Sequence, residues 1–291
     1  MTQTFIVERI RAPRSAMERR QALIATLGVA LLVMSCGGNH AATAPFVIPP
    51  PAEIRPAKWE LQWADEFTAP TLDPVNWVAV EGAANVNNER EYYTPSDVYI
   101  ENGNLVLRSQ QRLMGGRGYT SGEVRTGNKR NVSRGWAVEW RTQIPSGKGV
   151  WPANWLVAPA CDGINGCGGN WPPEIDVMEV RGSTPATNVM THWWGTYPAQ
   201  QHETSTWTSP VDLSADFHNY RIEWFRDSVV WYIDGVQRAK HTQSVTSGSM
   251  QLVMNTAIGG DFDGAPDIST VFPQYHRIDY VRVYRDTANA Y

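Results

Sequence analysis

The segment 174–179 constrains the fold more than any other part of the chain, because acidic and apolar side chains alternate along it. Successive side chains of a β-strand point to opposite faces, so Glu174 and Asp176 share one face and the apolar residue between them points to the other. Glu179 is out of this register by one position unless one extra residue is inserted as a β-bulge near residues 177–178. We therefore predict a bulged strand with one acidic face and one apolar, core-facing side.

Three like charges on one face repel each other, and crowding drives the pKa values of neighbouring carboxyls apart. Retaining hydrolysis of a glycosidic bond uses such a pair, with one carboxylate as nucleophile and one carboxylic acid as acid/base. We predict that Glu174 is the nucleophile and Glu179 the acid/base. Asp176, between them, would hydrogen-bond one partner and tune its proton affinity. The alternative is a solvated acidic strand without catalytic function.

The rest of the chain from residue 59 onward has the composition of β structure. Trp136, Val138 and Trp140 would share one face of a strand, with Glu139, Arg141 and Gln143 on the other. Asp234 followed by Gly235 is a turn signal after another strand-like run. No segment has a long helical period. Many short strands over residues 59–291 predict one all-β domain, a sandwich or jelly roll.

The N-terminal region reads as an export signal and a tether. Two arginines precede the apolar run 22–34, which is too short to span a bilayer comfortably, and Cys36 follows. We predict a signal peptide over 1–36, with Cys36 lipidated as in bacterial lipoproteins, and a proline-containing tether over 37–58. The protein would be an outer-membrane or cell-surface lipoprotein. An ordinary secretory signal, giving a periplasmic or secreted protein, is the alternative.

Charge argues against a nucleic-acid partner. The 291-residue chain has 25 Lys and Arg against 29 Asp and Glu, and five of the arginines but only two of the acids lie in the first 36 residues. The mature protein is therefore acidic and cannot neutralise phosphates effectively. We expect a monomer whose only contact with a membrane is the N-terminal lipid.

Two further cysteines bracket a short loop. Cys161 and Cys167 are separated by five residues, two of them glycines, and can close a disulfide in an oxidising compartment. A free, buried pair is the alternative. The sequence around them has no zinc-ligand spacing.

Several motifs follow one another in a fixed order along the chain. They are Trp63-Ala64-Asp65-Glu66-Phe67, Asn87-Asn88-Glu89, Tyr92-Tyr93-Thr94, Asn102-Gly103-Asn104-Leu105, Tyr119-Thr120-Ser121-Gly122, Gly149-Val150-Trp151-Pro152, Thr191-His192-Trp193 and Asp279-Tyr280-Val281-Arg282-Val283-Tyr284. Together with the acidic strand they give a chain that resembles glycoside hydrolase family 16, in particular bacterial laminarinase-like endo-β-1,3-glucanases.

The resemblance implies a jelly roll of two curved antiparallel sheets with an open, concave cleft for a polysaccharide. It implies endo-acting, retaining hydrolysis of β-1,3-glucan without a catalytic cofactor, and it gives Glu174, Asp176 and Glu179 the roles stated above. Mixed-linkage β-1,3-1,4-glucan and marine galactans are alternative substrates for the same mechanism. A non-catalytic glucan-binding lectin is a further alternative, although such relatives have lost the catalytic acids.

Aromatic side chains are expected to stack on sugar rings. The resemblance assigns substrate binding to Asn88, Trp151, Trp155, Trp171, His192 and Trp193. A structural histidine is the alternative for His192. We assign the remaining large aromatics to the core, namely Trp59, Trp63, Trp77, Trp136, Trp140, Trp224 and Trp231.

The resemblance also implies a structural calcium ion on the convex side. Its ligands would be Glu66, the carbonyl group of Gly103 and Asp279, since calcium prefers oxygen ligands. The alternative is a polar contact between the N-terminal and C-terminal ends of the domain.

Overall fold

A computed structural model describes residues 56–162, 164, 166–167 and 169–291. The predicted signal peptide, the lipidation site Cys36 and nearly all of the predicted tether lie outside these residues. Within the described part of the chain, no helix is long and apolar enough to cross a membrane.

The described residues form nineteen strands, one 3₁₀ turn and one short helix. The strands are β1 (Trp59–Asp65), β2 (Val78–Ala79), β3 (Gly82–Ala83), β4 (Glu91–Tyr93), β5 (Val98–Glu101), β6 (Asn104–Ser109), β7 (Tyr119–Ser121), β8 (Glu123–Arg125), β9 (Asn131–Val132), β10 (Trp136–Gln143), β11 (Val150–Val157), β12 (Glu174–Val180), β13 (Thr187–Trp194), β14 (Gln201–Thr208), β15 (His218–Trp224), β16 (Val229–Ile233), β17 (Val236–His241), β18 (Met250–Ile258) and β19 (Gln274–Asp286). The 3₁₀ turn is Pro95–Asp97 and the helix α1 is Gly260–Asp263.

Two eight-stranded sheets account for most of the chain. The first has the order β17-β16-β15-β10-β19-β6-β5, with β1 also paired to β19. The second has the order β14-β13-β12-β11-β18-β8-β2, with β9 also paired to β18. All strand pairs within these two sheets are antiparallel. This confirms the predicted all-β class, and it places the acidic strand β12 near the middle of the second sheet.

The main core lies between the two sheets. It is formed by apolar residues of strands from both sheets, with aromatic side chains as its largest members. Of the seven tryptophans predicted to be core, Trp77, Trp140, Trp224 and Trp231 are fully buried. Trp63 and Trp136 are half-buried against the same core, whereas Trp59 lies against Phe225, at 5.7 Å between ring centroids.

A small third sheet lies against strand β18 of the second sheet. It has the order β3-β4-β7. The loop before β4 is held by a β-bridge between Glu89 and Gly259, just after β18. The motif 87–89 is thereby fixed at the end of β18, which is separated from β12 by β11.

Candidate active site

The acidic strand β12 carries the predicted bulge. Against β13, Asp176 pairs with Thr191 and Glu179 with Val189, so three steps along β12 correspond to two along β13. Against β11 the register also shifts, in the same part of β12. One extra residue is therefore inserted between Asp176 and Glu179, which is the arrangement that returns the third acid to the face of the first two.

The two faces of β12 differ as predicted. Ile175, Val177 and Met178 are at most 1% exposed and belong to the main core. Burial of each such side chain stabilises the fold by about 1.5–3 kcal/mol, which holds the strand in place despite the crowded acids on its other face. The three acids line one open depression together with Asn87, Glu89, Trp151, Ala153, Trp155, Asn255 and Ala257.

Indole groups hold the acids in place. Trp171 Nε1 donates a hydrogen bond to Glu174 Oε2 at 3.0 Å, and Trp151 Nε1 donates to Glu179 Oε1 at 3.0 Å. Trp193, which pairs with Glu174 across the strands, hydrogen-bonds Asp176. Each acid therefore has its own indole donor, which fixes its orientation without supplying a full positive charge.

The acids share a common electrostatic environment. Burial, and then the negative charge of Glu179, raise the pKa of Glu174. Burial also raises the pKa of Glu179, against the opposing hydrogen bond from Trp151. Burial and the charges of both glutamates raise the pKa of Asp176 well above its ordinary value. The cluster therefore retains protons at neutral pH, as a site with one carboxylate and one carboxylic acid requires.

Asp176→Asn should stabilise the fold, and more so at alkaline than at acid pH. A carboxyl whose pKa is raised in the folded state destabilises the fold when it ionises. Its contribution to the free energy of unfolding is therefore most favourable below its unfolded-state pKa of about 3.9, and it is lost as the pH rises through the folded-state pKa. The amide cannot ionise, so this loss disappears. Thermal melts of both proteins between acid and alkaline pH should show a gain that grows with pH, where about 1 kcal/mol corresponds to about 2–4 °C. A variant that melts below wild type at alkaline pH would contradict the argument.

Most predicted substrate-binding residues lie at or beside this depression. Trp151 and Trp155 line it. Trp171 and Trp193 contact each other, with ring centroids 5.2 Å apart, next to Glu174. The predicted Asn88 is exposed and donates a hydrogen bond to Asp261 at 2.8 Å, while its neighbours on either side in the sequence line the depression.

His192 does not reach the depression. It is fully buried and pairs with the core residue Ile175, whereas its sequence neighbour Trp193 pairs with Glu174. Alternation along β13 therefore points His192 into the interior, where burial lowers its pKa to about 4. The structure thus agrees with a structural histidine, and the position next to the acids belongs to Trp193.

Glu89 is a further cleft residue that sequence analysis did not select. It is 7% exposed and accepts a hydrogen bond from Asn87 Nδ2 at 3.0 Å. Burial and the nearby Glu91 raise its pKa well above the ordinary value. Its position in the motif 87–89 was the available signal, but the sequence does not show which of the three side chains turns inward.

The two carboxylates among the predicted calcium ligands are paired with arginines. Glu66 forms a two-pronged ion pair with Arg282, at 2.8 and 2.9 Å. Asp279 forms an ion pair with Arg141 at 2.6 Å. Among the described residues, no group of three His, Cys, Asp or Glu side chains is placed to hold a metal ion. The pair of Glu66 and Arg282 is the alternative polar contact between the ends of the domain, whereas Asp279 pairs with Arg141 of β10. The calcium site itself stays a prediction.

The predicted disulfide is formed. Cys161 and Cys167 are bonded to each other. The loop that they close precedes Trp171, and both cysteines pack with Trp155 and Trp171 in a small apolar cluster. The bridge therefore supports the wall of the depression next to Glu174.

The comparisons with known proteins agree with one another. The sequence profile of the family described as glycosyl hydrolases family 16 matches residues 85–281. Glucan endo-1,3-beta-glucosidase A1 of Niallia circulans is 31% identical over 275 residues, which cover 81% of this chain and 39% of that protein. Beta-glucanase of Rhodothermus marinus is 31% identical over 254 residues, which cover 78% of this chain and 85% of that protein. The alpha subunit of clotting factor G of Tachypleus tridentatus is covered to 35%, so the chain spans well under half of two of these relatives.

Solved structures also match nearly over their whole length. The catalytic domain of an endo-1,3-beta-glucanase (laminarinase) from Thermotoga petrophila RKU-1 has a TM-score of 0.70 and 33% identity, over 79% of this chain and 99% of that one. The endo-beta-1,3-glucanase from Pyrococcus furiosus has a TM-score of 0.71 and 32% identity, over 82% of this chain and 99% of that one. The two packed sheets therefore have the arrangement of these enzymes.

Proposed function

The chain belongs to glycosyl hydrolase family 16, and from this premise we propose that it is an endo-acting, retaining β-1,3-glucanase. The observation that carries the proposal is the bulged strand, which places Glu174, Asp176 and Glu179 on one face of an open depression. Relatives named as endo-1,3-beta-glucosidases and laminarinases support the substrate.

The geometry suits a double displacement. Ionised Glu174 would attack the anomeric carbon while Glu179 gives its proton to the oxygen of the departing sugar, which leaves a glycosyl ester on Glu174. Glu179 would then take a proton from water, whose oxygen displaces Glu174 with a second inversion. Asp176 lies between them and is held by Trp193, so it tunes the pair without forming a bond to the sugar. This route uses protein side chains alone.

The walls of the depression suit a chain of sugar rings. Trp151 and Trp155 lie along one strand next to β12, and Trp171 and Trp193 lie together at the Glu174 end. Aromatic faces stack on the C–H faces of sugars, and Glu89 offers a carboxyl group to sugar hydroxyls. Because the depression is open, a polymer can enter along its length, which favours cleavage within the chain.

Other substrates share this mechanism. Relatives named endo-1,3-1,4-beta-glycanase, of Rhizobium meliloti, are 29–30% identical to this chain. A keratan-sulfate endo-1,4-beta-galactosidase of Sphingobacterium multivorum is 26% identical. A beta-1,3-glucan-binding protein of Penaeus monodon matches only 34% of the chain, and the intact acids argue against a purely binding role here.

A substrate panel tests the proposal. Laminarin, lichenan, agarose and carrageenan should be incubated with the exported domain and the products sized. We expect fastest release of soluble oligosaccharides of several lengths from laminarin, with the β-anomer formed first in proton NMR spectra. Faster release of oligosaccharides from lichenan or a galactan would show that β-1,3-glucan is not the preferred substrate. Binding to insoluble glucan without soluble products would indicate a non-catalytic lectin.

Export and anchoring are part of the proposal. They rest on the sequence signals before residue 37 and on the disulfide, which suits an oxidising compartment. The mass of the mature N-terminus distinguishes a lipidated Cys36 from an ordinary signal cleavage. We propose a monomer whose partner is the polysaccharide.

A further inference from the structure

A buried asparagine contacts the backbone of the catalytic bulge at two points. Asn188, on β13, is fully buried. Its side-chain oxygen accepts a hydrogen bond from the N–H of Glu179 at 3.2 Å, and its side-chain nitrogen donates to the carbonyl of Val177 at 3.2 Å. One side chain therefore spans the inserted residue and bonds the backbone of the acid/base itself.

A bulge creates the need for such a contact. The extra residue disrupts the ladder locally, and a buried N–H or C=O group that loses its partner destabilises the fold. An amide side chain offers one acceptor and one donor, which is what the N–H of Glu179 and the C=O of Val177 require. An ionised carboxylate would supply only the acceptor, and an apolar side chain would supply neither.

The opposite sheet makes a related contact. Trp231, on β16, donates its indole N–H to the carbonyl of Asp176 at 2.9 Å. Interior side chains from both sheets thus bond the backbone on each side of the inserted residue. Asn188 differs from Trp231 because it bonds Glu179 directly.

We propose that Asn188 is a positioning residue that fixes the place of the bulge in β12 and thereby aims Glu179 at the leaving oxygen. Without it, the extra residue can move along the strand, and a shift of one position turns a side chain to the other face. The inference rests on the proposed function for the role of Glu179, whereas the location of the bulge is independent of any substrate.

Three variants separate positioning from stability. Asn188→Leu keeps most of the volume and removes both hydrogen bonds. Asn188→Asp keeps the shape and the acceptor for Glu179 but, when ionised, lacks the donor for Val177. Met190→Ala is the control, because Met190 lies on the same strand and the same interior face and is equally buried, but its apolar side chain gives the bulge no amide hydrogen bonds.

Kinetics should report a misplaced acid. A misplacement of about 1 Å can cost about 10²-fold in rate, so Asn188→Leu should lose about 10²-fold in kcat on laminarin with little change in KM. The loss should be much smaller on a dinitrophenyl β-laminaribioside with azide present, because neither bond-breaking nor capture of the intermediate then needs Glu179. Asn188→Asp should lie between Asn188→Leu and wild type. Met190→Ala should have a lower melting temperature than wild type but the same kcat at temperatures where it is folded.

Several results would overturn the proposal. One is a loss of kcat in Met190→Ala as large as that in Asn188→Leu. Another is a loss of kcat in Asn188→Leu that is the same on laminarin and on the dinitrophenyl substrate with azide. If the leucine variant does not fold, wild-type kinetics of Asn188→Asp at a pH where the new carboxyl is ionised would overturn it in the same way. Crystal structures need no substrate: we expect a moved or disordered bulge in Asn188→Leu, and an unmoved Glu179 would refute the role. Wild type inactive on every polymer would defeat the proposed function, while the crystal structure would still decide the role of Asn188.

Discussion

Glu174→Ala should abolish release of sugar from laminarin, with a fall in kcat of at least about 10⁴-fold, since enzymes gain about 10⁶–10¹⁷-fold over the uncatalysed reaction and the covalent route is lost entirely. The variant keeps Glu179, so it can still donate a proton, but no group is left to form the glycosyl ester. Reducing-sugar release from laminarin measures the effect.

A carboxylate on the other sheet provides the control. Glu139, on β10, is half-buried like Glu174 and accepts a hydrogen bond from Tyr280 at 2.9 Å. Glu139→Ala should keep the wild-type kcat/KM because Glu139 alternates with the core residues Val138 and Trp140, so it points away from the sheet that carries β12. Similar activity in wild type and Glu174→Ala would show that Glu174 is not the nucleophile.

A positive result can accompany this loss. In Glu174→Ala the missing carboxylate leaves room for an α-laminaribiosyl fluoride, which has the configuration of the covalent intermediate. An acceptor sugar hydroxyl would displace fluoride and give its proton to Glu179, so longer β-linked products should accumulate without hydrolysis. If Glu174→Ala forms none of these products and Glu179→Ala forms them from the same fluoride, the roles of the two glutamates are reversed.

The sequence predicts the catalytic strand because its evidence is local. Three acids at positions 174, 176 and 179 fit one face only if one residue is extra, and the apolar residues between them need a core. Both conditions can be read within six residues. The disulfide between Cys161 and Cys167 is similarly local, and it was also confirmed.

Which side chains of the neighbouring strand face the cleft depends on the register between strands, and the sequence alone does not determine that register. His192 and Trp193 are neighbours, and a shift of one position decides which of them faces the cleft. The structure pairs Trp193 with Glu174 and His192 with Ile175. The role of Asn188 depends on the same register.

The arginine partners of two expected calcium ligands also depend on the fold. Glu66 and Asp279 are oxygen-bearing residues of a suitable kind, but their partners are arginines that are distant in sequence in both cases. Arg282 neutralises Glu66 and Arg141 neutralises Asp279. Ion pairs of this type depend on which side chains the sheet brings together, so composition and motif order do not reveal them.

Glu179→Ala should divide the reaction into its two steps. On laminarin we expect a loss of about 10²–10⁴-fold, the usual contribution of general acid–base catalysis. On a dinitrophenyl β-laminaribioside the first step needs no proton, so a burst of dinitrophenol should appear and the glycosyl ester on Glu174 should accumulate. Intact-protein mass spectrometry measures the ester.

Azide then tests the second step. Azide is a nucleophile that needs no general base, so it should restore turnover of Glu179→Ala and give a β-glycosyl azide. It should give no such rescue in Glu174→Ala, where no β-configured product can arise by double displacement.

The pH dependence of wild type and variant should differ in a stated direction. Burial raises the pKa of Glu179 to about 7, so the wild-type acid is protonated below that pH, and activity should fall as the pH rises through it. Glu179→Ala with azide and the activated substrate should lack this alkaline fall, because the group that titrates is gone. If the alkaline fall persists unchanged, the proton that is lost belongs to another group, and Glu179 is not the acid of this reaction.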